Sequence, residues 1–150
     1  MNLKALDEAV EKLRDVYIAG PKTEEEIRQA EKELGLAFSE DYRYYLLTYG
    51  RVCSLPDGLD LTGLISQKNF FDVVTATLAE RDCDDDFPKD AYVVHNWGYD
   101  GIVAIQYANG EIYARGSGYI TKKMNDSLAE YIEEEIRLDR EDEDEDEDED

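Results

Sequence analysis

The stretch TEEEIRQAEKELGLAFSEDYRYYLLTYG, residues 23–50, predicts two short capped helices in succession. Thr23 is placed to cap the first helix through its side-chain oxygen, and Glu26 can accept a hydrogen bond from the Thr23 amide in a capping box. Apolar residues then recur at the spacing of one helix face, at Ile27, Ala30 and Leu34. Gly35 supplies a stop, so the sequence bounds this helix at both ends.

The second helix of this stretch carries four tyrosines. Ser39 is its expected cap, and Glu40 and Asp41 lie in its first turn, where the helix dipole favours negative charge. One face is formed by Tyr42, Tyr45, Leu46 and Tyr49, a spacing typical of a buried face. Tyr44 lies off that face, which makes it a candidate for the surface, and Gly50 is expected to end the helix.

The segments on either side of this stretch are less regular. Upstream, an amphipathic first helix is predicted by Leu3, Leu6, Val10, Leu13 and Tyr17. This helix is expected to stop at Gly20. Downstream, residues 56–58 form a turn signal, and the leucines that follow indicate short strands. Residues 68–81 favour a helix capped by Asn69, although their β-branched run is also compatible with a strand.

The second half of the chain predicts an antiparallel meander followed by a helix. The expected strands are residues 92–95, 102–107 and 111–115. Asn109-Gly110 is a hairpin signal between the last two strands. A final helix is marked by Leu128, Tyr131, Ile132 and Ile136, with Asn125 or Asp126 as its cap. We therefore predict an α+β fold, in which N-terminal helices pack on an antiparallel meander sheet that a C-terminal helix closes.

Charge is the most unusual property of the composition. The net charge is −22 at pH 7, and residues 139–150 hold 11 acids and Arg140, which leaves −12 on residues 1–138. The terminal segment has no apolar side chain to bury, and its like charges repel one another. We expect a single domain over residues 1–138 and a disordered acidic tail over residues 139–150.

This charge limits the classes of partner. Direct binding of nucleic acid is not expected, because phosphate contacts require clustered Lys and Arg side chains. A basic protein surface is the natural complement. No apolar run reaches the roughly 18 residues of a membrane helix. Cys53 and Cys83 are too few for a disulfide framework and indicate reduced thiols, so we expect a cytoplasmic protein that does not bind membranes.

The residues that carry chemistry do not form a recognisable catalytic pattern. His95 is the only histidine, and nothing in the sequence places it beside Cys53 or Cys83 as a nucleophile–base pair. A cluster of aspartates invites comparison with calcium sites, at Asp82, Asp84, Asp85 and Asp86. The cluster lacks the central glycine and terminal glutamate of an EF-hand loop. We expect no catalytic residue, no metal site and no cofactor.

Two stretches of the sequence resemble the SUKH superfamily, the Smi/Knr-type domain. In residues 23–50 the resemblance rests on a Thr-capped acidic helix, a Leu-Gly, an acidic pair, an aromatic residue and a Leu-Leu ahead of Tyr-Gly. In YVVHNWGYDGIVAIQYANGEIYARG, residues 92–116, it rests on an Asp-Gly before a strand and a later Gly-Glu-Ile-Tyr. The resemblance covers about residues 10–137. It implies a non-enzymatic domain, because bacterial members resemble immunity proteins that neutralise toxins and fungal relatives regulate the cell wall.

From this resemblance and the acidic charge we expect an immunity protein that neutralises a basic toxin, for example a nuclease, by binding to it. The alternative is a regulatory scaffold with an endogenous partner. Exposed aromatic residues with acids around them are suitable partner contacts. The candidate contacts are Tyr44, Asp82, Asp84, Asp85, Asp86, Trp97, Tyr99 and Asp100. Trp97 is equally compatible with a place in the core.

Two roles remain open for the acidic tail. An extended chain advances roughly 3.3–3.6 Å per residue, so one carboxylate per residue matches the roughly 3.4 Å phosphate repeat of a single DNA strand. A tail of this kind is suited to the basic groove of a nuclease. The other role is to keep the protein in solution.

Overall fold

A computed structural model describes residues 3–97, 101–116 and 122–148, and within these ranges the chain forms five helices and seven strands. The helices are α1 (Leu3–Glu11), α2 (Glu24–Leu34), α3 (Glu40–Thr48), α4 (Val73–Cys83) and α5 (Leu128–Asp148). The strands are β1 (Tyr17–Ile18), β2 (Val52–Ser54), β3 (Leu59–Asp60), β4 (Ala91–Asn96), β5 (Val103–Tyr107), β6 (Ile112–Arg115) and β7 (Lys122–Asn125). This arrangement confirms the predicted α+β class.

The strands form two antiparallel sheets. Strands β1, β2 and β3 form a small sheet in that order, and β4, β5, β6 and β7 form a four-stranded meander. An isolated bridge between Leu61 and His95 joins the two sheets. Next to this bridge, Thr62 donates its amide to the carbonyl of Val94 at 2.9 Å and its hydroxyl to the carbonyl of Val93 at 2.9 Å. The small sheet is therefore fixed to the edge of the meander.

The meander separates two hydrophobic clusters. Alternate residues of β4 point to opposite sides, so Tyr92 and Val94 enter the larger cluster while Ala91 and Val93 enter the smaller one. Helices α1, α2, α3 and α5 contribute to the larger cluster. The smaller cluster includes Ala76 of α4 together with Phe87. The meander is thus the middle layer of the domain.

The local signals of residues 23–50 are confirmed. Thr23 caps α2, and both hydrogen bonds of the capping box with Glu26 are present. Gly35 ends α2 in the left-handed conformation with a φ of 67°. Ser39 Oγ accepts a hydrogen bond from the Tyr42 amide at 3.2 Å and caps α3. These interactions involve neighbouring residues, which explains why the sequence predicted them.

Several predicted boundaries are wrong. Helix α1 ends at Glu11, and Tyr17 instead lies in β1 with 57% of its surface exposed. The chain leaves the helix here because the Arg14 amide donates to the Asp57 carboxylate at 2.8 Å, a contact across 43 residues. Asp72 rather than Asn69 caps α4 by accepting from the Thr75 amide at 3.0 Å.

The C-terminal part of the meander also differs from the prediction. Strand β7 was not predicted, since its sequence is polar and half of it lies exposed. Asn125 is the last residue of this strand and does not cap α5. Ser127 Oγ accepts the Glu130 amide at 3.2 Å instead.

The tyrosines of α3 carry a hydrogen-bond network into the core. Tyr42 and Tyr45 are 1% and 0% exposed. The Tyr42 hydroxyl lies 2.9 Å from Thr62 Oγ1, and the Tyr45 hydroxyl donates to the Thr62 carbonyl at 2.7 Å while accepting from the Val52 amide at 2.9 Å. Burial raises the pKa of both phenols. The phenols are therefore neutral and serve as structural links between α3 and the small sheet.

Helix α5 runs from the domain into the acidic segment predicted as a tail and continues to Asp148. Arg140 donates to the Lys12 carbonyl at 2.7 Å and lies 3.4 Å from the Asp57 carboxylate, whose side chain is fully buried. Arg14 also lies 3.9 Å from the carboxylate of Asp139. Asp139 and Arg140, the first two residues of the predicted tail, thus contact the domain, because α5 runs past the end of α1.

Shortening α5 at two places is expected to have opposite effects on stability. Removal of residues 139–150 should lower the free energy of unfolding by about 1 kcal/mol, since the Arg140 hydrogen bonds are lost. Removal of residues 143–150 leaves these bonds intact and relieves repulsion between carboxylates, so stability should stay level or rise. Urea denaturation of both forms beside the full chain measures the difference. Equal midpoints for the two truncated forms would show that Arg140 contributes nothing.

No helix in the described part of the chain combines the length and the apolar character that a membrane span requires.

Candidate interaction surface

Tyr44 is tied to the first helix and is only partly available to a partner. The side chain is half-buried against the core. Its hydroxyl donates to the Asp7 carboxylate of α1 at 2.7 Å, and the Tyr49 hydroxyl donates to the other oxygen of the same carboxylate at 2.5 Å. The hydrogen bond to Asp7 and burial raise the pKa of Tyr44. Tyr44 therefore holds α3 against α1.

The predicted acidic cluster is divided between exposed and bound side chains. Asp82, Asp85 and Asp86 are exposed. Asp84 accepts from the Asp86 amide at 2.9 Å and from the Arg115 guanidinium at 2.7 Å, and these two hydrogen bonds hold its pKa below the ordinary value. Through Arg115, Asp84 connects the end of α4 to the meander. The three exposed aspartates therefore remain as the charges that a partner can contact.

Trp97 follows β4 and lies on the other side of the meander from the acidic cluster. Its ring is half-buried, and its centroid lies 4.8 Å from that of the His95 ring. Trp97 packs against the larger hydrophobic cluster, whereas Phe87, beside the aspartates, packs into the smaller one. Tyr99 and Asp100 lie outside the described residues. The structure does not bring the predicted contacts into one patch.

The sequence does not predict the groove next to Trp97. The groove has a volume of about 690 Å³, and exposed apolar side chains border it. Leu55 is 79% exposed, Phe70 is 63% exposed and Phe71 is 37% exposed. Single apolar side chains on a surface are ordinary, but three around one groove with a tryptophan indicate a binding surface. The adjacent Phe70-Phe71 pair in the sequence was the one local sign of it.

The floor of this groove is rigid. The Arg51 guanidinium lies 4.4 Å from the centre of the Phe71 ring. Arg51 also forms an ion pair with Asp60 and donates through Nε to the Leu61 carbonyl at 3.1 Å. At the base of the loop, the Asn69 side chain accepts the Phe71 amide at 2.9 Å. Phe71 is therefore held in place before any partner arrives.

Two carboxylates of α5, Glu135 and Asp139, lie beside residues that line the groove and form its acidic rim. Burial raises the pKa of Glu135 on α5, while a hydrogen bond from Trp97 acts in the other direction. One turn further along α5, Asp139 approaches Gly58 so closely that a Cβ atom on Gly58 would lie 3.1 Å from its carboxylate oxygen. Glu135 and Asp139 thus lie next to Trp97 and Gly58, which line the groove, and the Asp139 carboxylate is also 3.9 Å from Arg14.

Comparison with known families identifies the domain. A SUKH family model described as SMI1-KNR4 cell-wall matches residues 6–137. The chain belongs to the SMI1-KNR4 family. The match confirms the resemblance found in the sequence, and it extends from within α1 to the middle of α5, before the terminal acids. No curated protein matches the chain.

SMI1-KNR4 domains are generally non-enzymatic immunity or regulatory modules, and the only histidine of the chain lies in the core. His95 is 2% exposed, and its Nδ1 lies 2.6 Å from the Tyr131 hydroxyl. Cys53 is half-buried, and burial raises the pKa of its thiol, which disfavours the nucleophilic thiolate. Cys83 is exposed at the end of α4. Within the described ranges, no group of three or more His, Cys, Asp or Glu side chains is placed to hold a metal ion.

The buried histidine of this SMI1-KNR4 domain predicts a pH dependence of stability. Burial lowers the pKa of His95 from 6.5 to about 4. Between these two values the unfolded chain binds a proton that the folded chain does not, so the free energy of unfolding falls as pH falls. The slope due to this group approaches about 1.4 kcal/mol per pH unit.

Urea denaturation of the wild type and His95→Gln from pH 7 to pH 4 tests this dependence, because titrating carboxylates are common to both proteins. The variant should show the shallower fall. Parallel curves would mean that folding does not lower the pKa of His95.

Proposed function

We propose that this SMI1-KNR4 domain is a cytoplasmic immunity protein that binds a basic toxin and neutralises it. The observation that carries the proposal is the net charge of −22 on a family member of this kind. Asp82, Asp85 and Asp86 are exposed, so part of this charge is available to a partner. A surface of this sign attracts a basic protein from a distance and repels acidic proteins.

The helical form of the terminal acids changes how they would act on a nuclease toxin. In an α-helix the chain rises about 1.5 Å per residue. The backbone of α5 therefore does not repeat at the roughly 3.4 Å spacing of a phosphate strand. The contribution of the terminal acids to binding is the attraction of a dense negative charge, which does not depend on matching that spacing.

A second candidate function follows from the description of the matching family, which refers to the cell wall. In this case the domain would be a regulatory module that binds an endogenous protein of its own host. The acidic surface serves both functions equally. The two are distinguished by the identity of the partner, which is a toxin in the first case and a host protein in the second.

The decisive experiment is affinity capture of the full chain from its native host, with identification of the stoichiometric partner. Expression of this partner alone, and together with the domain, then measures neutralisation. We expect the partner to be basic and to inhibit growth unless the domain is present. A partner that is harmless by itself would contradict the immunity function and favour the regulatory one.

The role of charge can be measured on the captured complex. The protein with Asp82→Asn, Asp85→Asn and Asp86→Asn should associate more slowly at low salt and dissociate at the wild-type rate, because exposed charges act mainly during encounter. The difference should shrink as salt shortens the screening length to roughly 8 Å at 0.15 M. Glu24→Gln, Glu25→Gln and Glu33→Gln remove the same number of exposed charges from α2 and serve as the control. Equal slowing in both proteins would show that net charge alone steers association.

A further inference from the structure

We propose that the groove bordered by Leu55, Phe70, Phe71 and Trp97 binds a protein segment in which an Arg or Lys side chain is flanked by apolar side chains. This proposal rests on the binding function proposed above and adds to it the location of the surface and the chemistry of the bound segment. The acidic cluster at residues 82–86 is not part of this surface.

The apolar half of the segment is required by the exposed side chains. Leu55 and Phe70 are 79% and 63% exposed and stand on two different loops that face the same groove. Burying such side chains against a partner is favourable because it removes apolar surface from water. The fixed position of Phe71 under Arg51 lowers the entropy that binding would otherwise cost.

The basic part of the segment is favoured by the acidic rim. Glu135 and Asp139 are one helical turn apart, and they lie beside the groove-lining residues Trp97 and Gly58 respectively. Glu135 is hydrogen-bonded to Trp97, so a cation placed beside the Trp97 ring also lies near this carboxylate. The Trp97 ring beside it attracts cations as well, and guanidinium groups most often.

Charge also decides between a partner and a second copy of the chain. Two copies would each bring a net charge of −22 to the contact, and the acidic rim of each groove would oppose association. A positively charged segment has the opposite effect. The groove therefore fits a basic partner better than a homodimer.

The first test uses a short amidated peptide in which arginine alternates with leucine, added to the ¹⁵N-labelled full chain. We expect saturable NMR shifts at the amides of Leu55, Gly58 and Phe70 and at the Trp97 indole. A peptide with glutamate in place of arginine should not bind, and one with serine in place of leucine should bind far more weakly. Shifts confined to residues 82–86, equal binding of the serine peptide, or the absence of binding would each overturn the proposal.

The second test uses variants at exposed positions that are expected to fold normally. Leu55→Ser combined with Phe70→Ser should weaken binding of the arginine–leucine peptide about tenfold, which is the effect of losing a small hot spot. Leu78→Ser, which is also at an exposed apolar residue but on α4, is the control and should change the affinity less than about twofold. Glu135→Gln should weaken binding, and Glu133→Gln on the exposed face of the same helix should not. Wild-type affinity in the groove variants would refute the assignment.

The outcomes separate this surface from the proposed function. If a basic toxin is captured and binds the groove variants as tightly as the wild type, the immunity function stands and the groove assignment fails. If the peptide binds in the groove but the captured partner is not toxic, the surface stands and the immunity function fails.

Discussion

Replacing Gly50 by alanine is expected to destabilise the protein by about 2–5 kcal/mol. Two separate costs add at this position. The φ of Gly50 is 74°, a conformation that costs a residue with a Cβ about 1–2 kcal/mol. A Cβ atom there would also lie 2.0 Å from the carbonyl oxygen of Gly20, which is backbone and cannot rotate away. Overpacking of this kind costs about 1–3 kcal/mol.

Gly35→Ala is the matched control for this prediction. Gly35 has a φ of 67°, but a Cβ atom added there would meet nothing within 4 Å. It should lose only the conformational part, about 1–2 kcal/mol. Urea denaturation of the two variants beside the wild type gives the difference, which measures the close approach of the Gly20 and Gly50 backbones. Equal losses in both variants would contradict this close approach.

Asp41→Ala is expected to have the second largest effect, about 2–4 kcal/mol. Asp41 is 2% exposed and contacts three separate parts of the domain. Its carboxylate accepts from the Leu128 amide of α5 at 2.7 Å, from Gln106 Nε2 of β5 at 3.0 Å and from the Ser39 hydroxyl. Each buried donor left without a partner costs about 1–3 kcal/mol. Removing a buried carboxylate also regains its desolvation energy, so the full sum is not expected.

Glu40→Gln provides the control, since Glu40 is the exposed neighbour of Asp41 in the first turn of α3. It loses only the interaction of a surface charge with the helix dipole, about 0.3–1 kcal/mol. Amide hydrogen exchange adds a local measurement, because the Leu128 amide should lose protection in Asp41→Ala and keep it in Glu40→Gln. An unchanged rate at Leu128 would show that Asp41 does not hold α5 in place.

Both predictions concern the positions at which separate elements of the domain meet. Gly50 follows α3 and lets the chain pass directly against the segment that enters α2. Asp41 joins α3 to the meander and to the start of α5. The groove proposed as the binding surface lies between the small sheet and the end of β4. The shape of the groove therefore depends on contacts between separate elements more than on any single helix or strand.

Elements with local signals could be predicted from the sequence. These signals are the capping box of Thr23 and Glu26, the stop at Gly35 and the cap at Ser39. Each involves residues at most four positions apart, so each can be recognised in the sequence. The hairpin at Asn109-Gly110 is of the same kind, and Gly110 has the positive φ that the turn requires. These signals, with the resemblance to the family, were enough to predict the α+β class and the SMI1-KNR4 family.

The tertiary structure alone decided where the polar residues and the groove lie. Asp41 reaches Leu128 across 87 residues, and Arg140 reaches Asp57 across 83 residues. The contact with Leu128 buries the Asp41 carboxylate, which the sequence predicted only as a charge favoured by the helix dipole. The contact between Arg140 and Asp57 lies in the segment that the sequence predicted as an acidic tail. Leu55, Phe70 and Trp97 likewise come from distant segments, and no local pattern encodes their meeting, because it results from how the two sheets are joined.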